Sequence, residues 1–189
     1  MKSLSRRIRQ FRDQEDGLVM TELLIMLPLL IWVFMALFVY WDAFRTINQA
    51  QKATYSVSDL MSRQGDVDMT FINGMKVVTK YLMNGEPAVK IRITSVKYKA
   101  STNKMQVLFS KSPGNQLPSL TDTEMNKTTM RNRIPVMADQ DSILLVETEI
   151  GYDPAFEVGI PNHVFKNFVI TRPRFHQICF VGLSCPSLI

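Results

Sequence analysis

The sequence predicts an α+β protein in which one long N-terminal helix packs on a small antiparallel sheet of about four strands with short helices. Three observations predict this class. An uncharged apolar run lies near the N-terminus, a stretch without proline or glycine continues it at helical spacing, and alternating apolar and polar residues follow in later segments. Helices followed by a set of strands are typical of α+β folds.

The apolar run is long enough to cross a membrane. Residues 23–41 carry no charge, and at 1.5 Å per residue a helix of this length nearly spans a hydrocarbon core of ~30 Å. A cleaved signal peptide has a shorter apolar core, of about 7–15 residues. Tyr40 and Trp41 stand at the outer boundary, as interfacial aromatic residues do. The run therefore predicts a retained membrane anchor.

Helical spacing continues beyond the anchor. The apolar and small positions are Phe44, Ile47, Ala50, Thr54, Val57 and Met61. One helix over about residues 18–63 is therefore expected, half in the membrane and half amphipathic outside it. The amphipathic half is available to cover the sheet.

Charge around the run predicts its orientation. The basic residues before it are Lys2, Arg6, Arg7, Arg9 and Arg12, whereas Arg45 and Lys52 are the nearest after it. By the positive-inside rule the N-terminus is cytoplasmic. We expect a basic cytoplasmic leader (1–17), a single transmembrane helix (18–41) and an α+β domain (42–189) that lies outside the cytoplasm. The charge of +5 is too weak and scattered outside the leader for a nucleic-acid-binding protein.

The remaining elements follow from periodicity and turn residues. A second helix begins at Asp68 or Thr70, ends at Asn84-Gly85 and has an apolar face made by Phe71, Met75, Val78 and Leu82. Two alternating segments, 88–99 and 104–110, form a hairpin, and a slip in the alternation at Ser95 predicts a bulge. A short helix is expected near 122–132, capped by Thr121 or Asp122.

Two further strands complete the predicted sheet. The third strand puts Leu144, Val146, Ile150 and Tyr152 on one face and Glu147 and Glu149 on the opposite, solvated face. The fourth strand covers residues 164–175, and an extension to the cysteine ring is the alternative.

No constellation of residues indicates an enzyme, a metal site or a cofactor. His163 and His176 have no Cys, Asp or Glu at ligand spacing, and phosphate loops, nucleophile elbows and zinc-protease motifs are missing. Cys179 and Cys185 are close enough to close a small ring in an oxidising compartment, which stabilises by about 2 kcal/mol. Two unpaired thiols are the alternative.

One motif is specific. In "FRDQEDGLVMTELLIMLPLL", residues 11–30, a basic segment leads to Gly17, and Glu22 follows five residues later inside the apolar run. This pattern resembles the processing signal of type IV prepilin-like proteins. The resemblance implies that a prepilin peptidase cuts the Gly17–Leu18 bond. It also implies that Glu22 serves subunit assembly by pairing with the new amine of Leu18 on a neighbouring subunit.

The same residues narrow the resemblance to TadE-like proteins of the tight-adherence (Tad, or Flp) pilus. Pro28 occupies the position of a proline inside the helix, where a kink helps packing, and "TRPRF" at 171–175 is similar to a segment near the C-termini of such proteins. Leu23 departs from the usual phenylalanine after the glutamate. TadE-like and TadF-like proteins are similar to each other, and both remain open.

The resemblance implies a minor pilin or pseudopilin needed to assemble a Tad pilus in surface adherence. It also implies a single-pass protein of the bacterial inner membrane, with domain 42–189 in the periplasm. Its partners would be the prepilin peptidase, other pilins or pseudopilins, inner-membrane components of the Tad machine and the membrane itself, with no nucleic acid. The alternative is a signal-anchored periplasmic structural or adaptor module that is not processed as a pilin. A carboxylate costs about 2.5–3.5 kcal/mol in a membrane, so a plain anchor gains nothing from Glu22.

Overall fold

The computed structural model describes residues 16–84 and 88–183 of the chain. The elements follow in the order α1 (Asp16–Ser62), β1 (Asp66–Val67), α2 (Met69–Leu82), β2 (Val89–Lys99), β3 (Lys104–Lys111), a 3-10 turn (Pro113–Asn115), α3 (Asp122–Met125), α4 (Thr128–Arg131), β4 (Ser142–Tyr152), β5 (His163–Thr171) and β6 (Cys179–Phe180). Strands β2 to β5 form an antiparallel sheet in the order β3-β2-β4-β5, and β1 pairs with β6 in parallel. The predicted α+β class, with its long N-terminal helix, four-stranded sheet and short helices, is confirmed.

The chain divides into two compact units. The first consists of the chain up to Asp42 together with the Pro154–Pro161 loop, and the second consists of Ala43–Asp153 and the chain from Asn162 onward. Most of the predicted leader, residues 1–17, lies outside the described residues. The predicted segment boundaries, 17/18 and 41/42, stay predictions.

In the second unit, the C-terminal half of α1 packs on the sheet. Val57 and Met61 are fully buried in one core cluster with Ile93, Leu144 and Val146. Burial of this apolar face supplies most of the free energy that holds a helix on a sheet. The expectation that the amphipathic half of α1 covers the sheet is confirmed.

One member of the predicted apolar face of α1 points elsewhere. Phe44 is exposed, whereas its neighbour Ala43 is buried. Successive residues are about 100° apart around a helix. Ala43, and not Phe44, therefore continues the buried stripe of Ala50 and Val57.

Buried hydroxyl groups fix how α1 lies on the sheet. Thr54 donates to the carbonyl oxygen of Ala50 at 2.7 Å, so its hydroxyl accepts from that of Thr148 in β4, 2.8 Å away. The Ser58 hydroxyl bonds the Thr171 hydroxyl at the end of β5. Because an unpaired buried hydroxyl costs about 1–3 kcal/mol, sliding α1 along the sheet is disfavoured.

Strand β4 is buried on both faces at residues 143–145. Leu144 and Val146 face α1, whereas Ile143 and Leu145 join a second cluster with Met125 of α3. Alternation along the sequence predicted only one apolar face for this strand. The short helices cover the second face, which accounts for the unbroken apolar run 143–146.

The predicted irregularity at Ser95 lies in the neighbouring strand. The register of β2 with β4 is regular throughout. The register with β3 shifts: Ser95 pairs with Phe109 and Val96 with Val107, which leaves Leu108 of β3 as the extra residue. The apolar side chains of β2 change face at Ser95 because a different cluster covers each part of the strand.

Two short helices replace the single helix predicted near 122–132. Thr121 caps α3 in a capping box with Glu124, as one of the two predicted caps. The break follows at Asn126, whose side-chain amide accepts from the backbone N–H of Met105 at 2.9 Å and donates to its carbonyl at 2.8 Å. This amide pairs with the outer edge of β3 and protects it from other strands.

Asp68 caps the start of helix α2 as predicted, and its carboxylate accepts from the backbone N–H of Phe71 at 2.7 Å. Its buried face is formed by Ile72, Met75 and Thr79, and the predicted Leu82 is partly exposed. The predicted stop Gly85 lies outside the described residues. The fourth strand ends at Thr171 and does not extend to the cysteine region.

Candidate functional site

The motif residues lie at the start of α1. The described part of α1, Asp16–Ser62, includes the Gly17–Leu18 peptide bond, and the side chains of residues 16–18 lie outside the described part of the chain. Glu22 is one turn beyond Leu18. Four residues advance a helix by about 6 Å and return to nearly the same face. The spacing thus puts Glu22 on the Leu18 side of the helix.

Glu22 is exposed among apolar side chains. Val19, Leu23, Ile25 and Met26 around it are exposed as well. None of the residues 18–26 is basic, and no ion pair reaches Glu22 within the described residues. The carboxylate is thus presented outward on an apolar surface.

The helix continues through Pro28. Proline has no N–H, so the helical bond to the carbonyl of Leu24 is lost at this point. Such a loss is tolerated in membrane helices, where neighbouring groups compensate the freed carbonyl. The predicted kink at Pro28 stays a prediction.

The surface of the N-terminal half of α1 is apolar and open. Its most apolar window of 18 residues has a mean hydropathy of 2.6 and is 6% buried. One helix near the N-terminus is thus long and apolar enough to cross a membrane, and a signal sequence has the same properties. An apolar surface of this extent marks a membrane or protein interaction site.

The "TRPRF" segment, residues 171–175, ties the chain after β5 to the end of α1. The backbone N–H of Arg174 donates to the carbonyl of Ser62 at 2.9 Å, and its guanidinium donates to Asp59 at 2.5 Å. Asp59 also accepts from Arg63 at 2.8 Å. The segment that helped to suggest the family therefore holds the chain after β5 on α1. We call these contacts of Arg174 with Ser62 and Asp59 the joint.

The joint is expected to make stability depend on acid pH. Hydrogen bonds from Arg63, and then from Arg174, lower the pKa of the Asp59 carboxyl below its ordinary 3.8. The unfolded carboxyl binds its proton first, so this stabilisation is present above about pH 4 and is lost as the pH falls through the folded pKa. Asp59→Asn should therefore show a smaller decrease in the thermal midpoint than the wild type between about pH 5 and about pH 2.

The control for this measurement is Asp153→Asn, which removes an exposed carboxylate that makes no ion pair within the described residues. It should keep the acid response of the wild type. An Asp59→Asn response equal to that of the wild type would contradict a contribution from the joint.

A solvated face was predicted for Glu147 and Glu149, but both carboxylates pair with basic side chains. Arg92 bonds Glu147 at 2.7 Å, and both side chains are largely buried. Glu149 lies 3.0 Å from Lys166 and 3.9 Å from Lys90. The sequence contained a signal for these pairs, because opposite charges on paired strands stand directly across from each other.

These pairs border a small cavity of about 110 Å³. On its wall, the guanidinium of Arg133 stacks over the ring of Phe168 at 3.9 Å. The carboxylates around the cavity are engaged with cations. The arrangement stabilises the sheet surface.

Both histidines are exposed, and each contacts a neighbouring residue. His163 contacts the Phe165 ring edge-on at 5.5 Å, and His176 lies so close to Gly65 that a Cβ there would be 3.0 Å from its Nε2. Among residues 16–84 and 88–183, no three His, Cys, Asp or Glu side chains are grouped to hold a metal ion.

Cys179 lies in β6, beside Asp66 of β1, and is not a free thiol. Cys185 lies outside the described residues. The predicted pairing of the two cysteines stays a prediction. The parallel β1–β6 pair that holds Cys179 was missed by the sequence analysis.

Comparison with protein-family models, with curated proteins and with solved structures gives no match to this chain.

Proposed function

We propose that this chain is a TadE-like or TadF-like pseudopilin that is anchored in the bacterial inner membrane, processed after Gly17 and required to assemble a Tad pilus. The observation that carries the proposal is Glu22. It is exposed and without an ion pair in the described residues, on an apolar helix, one turn after Leu18. A carboxylate at this place costs about 2.5–3.5 kcal/mol in a membrane, and that cost calls for a function.

Processing would create a partner for Glu22. Cleavage of the Gly17–Leu18 bond leaves a free amine on Leu18, which is positively charged at neutral pH. In an assembly of parallel helices, the amine of one subunit meets the carboxylate of the next. Two charges that are each costly in lipid then offset each other.

The two halves of α1 would serve different parts of this role. The N-terminal half is apolar and open, which suits contact with lipid and with the helices of other subunits. The C-terminal half is buried on the sheet and holds the domain, which would lie in the periplasm. Partners would be the prepilin peptidase, other pilins or pseudopilins and inner-membrane components of the Tad machine.

Processing is the direct test. Co-expression of the full chain with the cognate prepilin peptidase should remove 17 residues, or about 2 kDa of the 21.7 kDa chain, and give Leu18 as the N-terminus by sequencing. Gly17→Leu should stay at full length, because a bulky side chain blocks close approach to the backbone.

Gly74→Ala is the matched control, since a Cβ at Gly74 meets no atom within 4 Å and the motif is intact. It should be processed like the wild type. An intact Gly17–Leu18 bond in the wild type would refute the pilin proposal and favour the alternative, a signal-anchored periplasmic structural or adaptor module.

A further inference from the structure

One loop of the chain belongs with the apolar half of α1. The Pro154–Pro161 loop, which connects β4 to β5, forms one compact unit with the chain up to Asp42. Its sequence, PAFEVGIP, contains a single charged residue, Glu157. Val158 of the loop is buried, and Phe156 is 42% exposed.

The loop contacts α1 through aromatic rings. The Phe156 ring meets the Phe38 ring edge-on, with 6.3 Å between the centroids and an interplanar angle of 65°. This geometry is a favourable one for an aromatic pair. Val39, the next residue of α1, is only 1% exposed, whereas Phe38 keeps 49% of its surface.

The contact lies at a defined height on the helix. Twenty residues, 19–38, rise about 30 Å, which matches the thickness of the hydrocarbon core. If this segment spans the membrane, Phe38 is at the outer edge of the hydrocarbon. Tyr40 and Trp41 then lie among the headgroups, where such residues are enriched.

From this we infer that the Pro154–Pro161 loop lies in the lipid headgroup layer on the domain side of the membrane, with the Phe156 ring in contact with lipid. The inference rests on the membrane span of the proposed function and adds a second lipid-contacting element to it. The ring surface that Phe38 leaves uncovered is apolar, as is most of the loop, which is the composition of an interfacial segment. The single charge is negative, so attraction to anionic lipid is not part of the contact.

Tryptophan fluorescence of the full chain in phosphatidylcholine vesicles tests the inference. The native Trp32 and Trp41 are exposed on α1 and are both replaced by phenylalanine, and Phe156→Trp then supplies one probe in the loop. Bromine atoms on the lipid chains, placed near the headgroups or near the bilayer centre, quench tryptophan at the corresponding depth. Circular dichroism verifies that each variant is folded, and Ala155→Trp, at an exposed neighbouring position, is a second loop probe.

Two reference probes make the outcomes distinguishable. Val136→Trp, at a position that is 97% exposed, reports a water-exposed tryptophan, and a variant that keeps only Trp32 reports the span itself. The loop probe should lose emission with bromine near the headgroups and lose less with bromine near the bilayer centre. The probe at 136 should be affected by neither lipid, and Trp32 should be quenched most by the deep bromine.

A loop probe that behaves like the probe at 136, while Trp32 is quenched, would overturn the loop inference and leave the span intact. An unquenched Trp32 would overturn the span, and the loop inference with it. Processing at Gly17 is measured separately and does not depend on either result.

Discussion

Met61→Ala is expected to destabilise the folded protein by about 2–5 kcal/mol, the range for a fully buried methionine cut back to alanine. Met61 is 0% exposed in the cluster where α1 meets the sheet, beside Val57 and Leu144. Removing its side chain takes away buried apolar contacts and leaves a cavity. The surrounding strands close it only in part, because they are held in register on both sides.

Thermal unfolding of the full chain in detergent, followed by near-ultraviolet circular dichroism, measures this effect. For a domain of this size, about 3 kcal/mol corresponds to a decrease of roughly 6–12 °C in the midpoint. Leu60→Ala is the matched control, since Leu60 is the preceding residue of the same helix and is 41% exposed. Its effect should stay within about 0.5 kcal/mol. Equal effects of the two variants would mean that the α1–sheet contact contributes little to stability.

Long periodic elements were predictable because their signal is local. The expected first helix, 18–63, compares with Asp16–Ser62 in the structure, and the expected hairpin compares with β2 and β3. Helical spacing and strand alternation each extend over several residues, so chance matches are few. The capping residues Asp68 and Thr121 were identified for the same reason, because a cap acts on N–H groups two or three residues away.

Short elements and the second covered face were not predictable in the same way. Strands β1 and β6 have two residues each, too few for any period, and pair across more than a hundred residues of sequence. Ile143 and Leu145 were left out of the core because alternation assumes one buried face. A strand that is covered on both sides loses its alternation, and the run 143–146 carried that information.

The candidate site also has a part that a local motif predicted and a part that depends on distant contacts. Gly17, Glu22 and Pro28 were located by a motif, and the structure adds that Glu22 is outward-facing on an apolar helix. The "TRPRF" segment was noted only as a resemblance, and its joint with Asp59 depends on a contact between distant parts of the chain. A contact between subunits is harder still to predict from the sequence, because it involves a second chain.

Glu22→Ala is expected to abolish or strongly reduce piliation and adherence, and the protein should remain in the membrane fraction. The substitution removes a costly charge from an apolar helix, so insertion becomes easier by about 2.5–3.5 kcal/mol. If Glu22 pairs with the amine of Leu18 in the next subunit, its loss leaves that amine unpaired in lipid. Breaking one partner of a buried pair costs about 3–5 kcal/mol, which lowers an association constant by more than a hundredfold.

Two further variants separate charge from position. Glu22→Gln keeps the shape and polarity of the side chain but removes the charge, so it should also lose piliation. Glu22→Leu combined with Met26→Glu keeps one carboxylate on nearly the same helix face and moves it about 6 Å along the axis, to another exposed position. If a carboxylate anywhere on this helix face is sufficient, this variant should make pili. If the carboxylate must pair with an amine at a fixed position, it should not.

Piliation is measured by counting pili in electron micrographs of cells that carry each variant in place of the native chain, with processing after Gly17 measured in parallel. A variant that is processed and inserted but makes no pili places the defect at assembly. Normal pili in Glu22→Ala, or recovery with the carboxylate at position 26, would contradict the pairing of Glu22 with Leu18. Glu22→Gln distinguishes charge pairing from a steric role, because glutamine fills the same space as glutamate but cannot neutralise an amine.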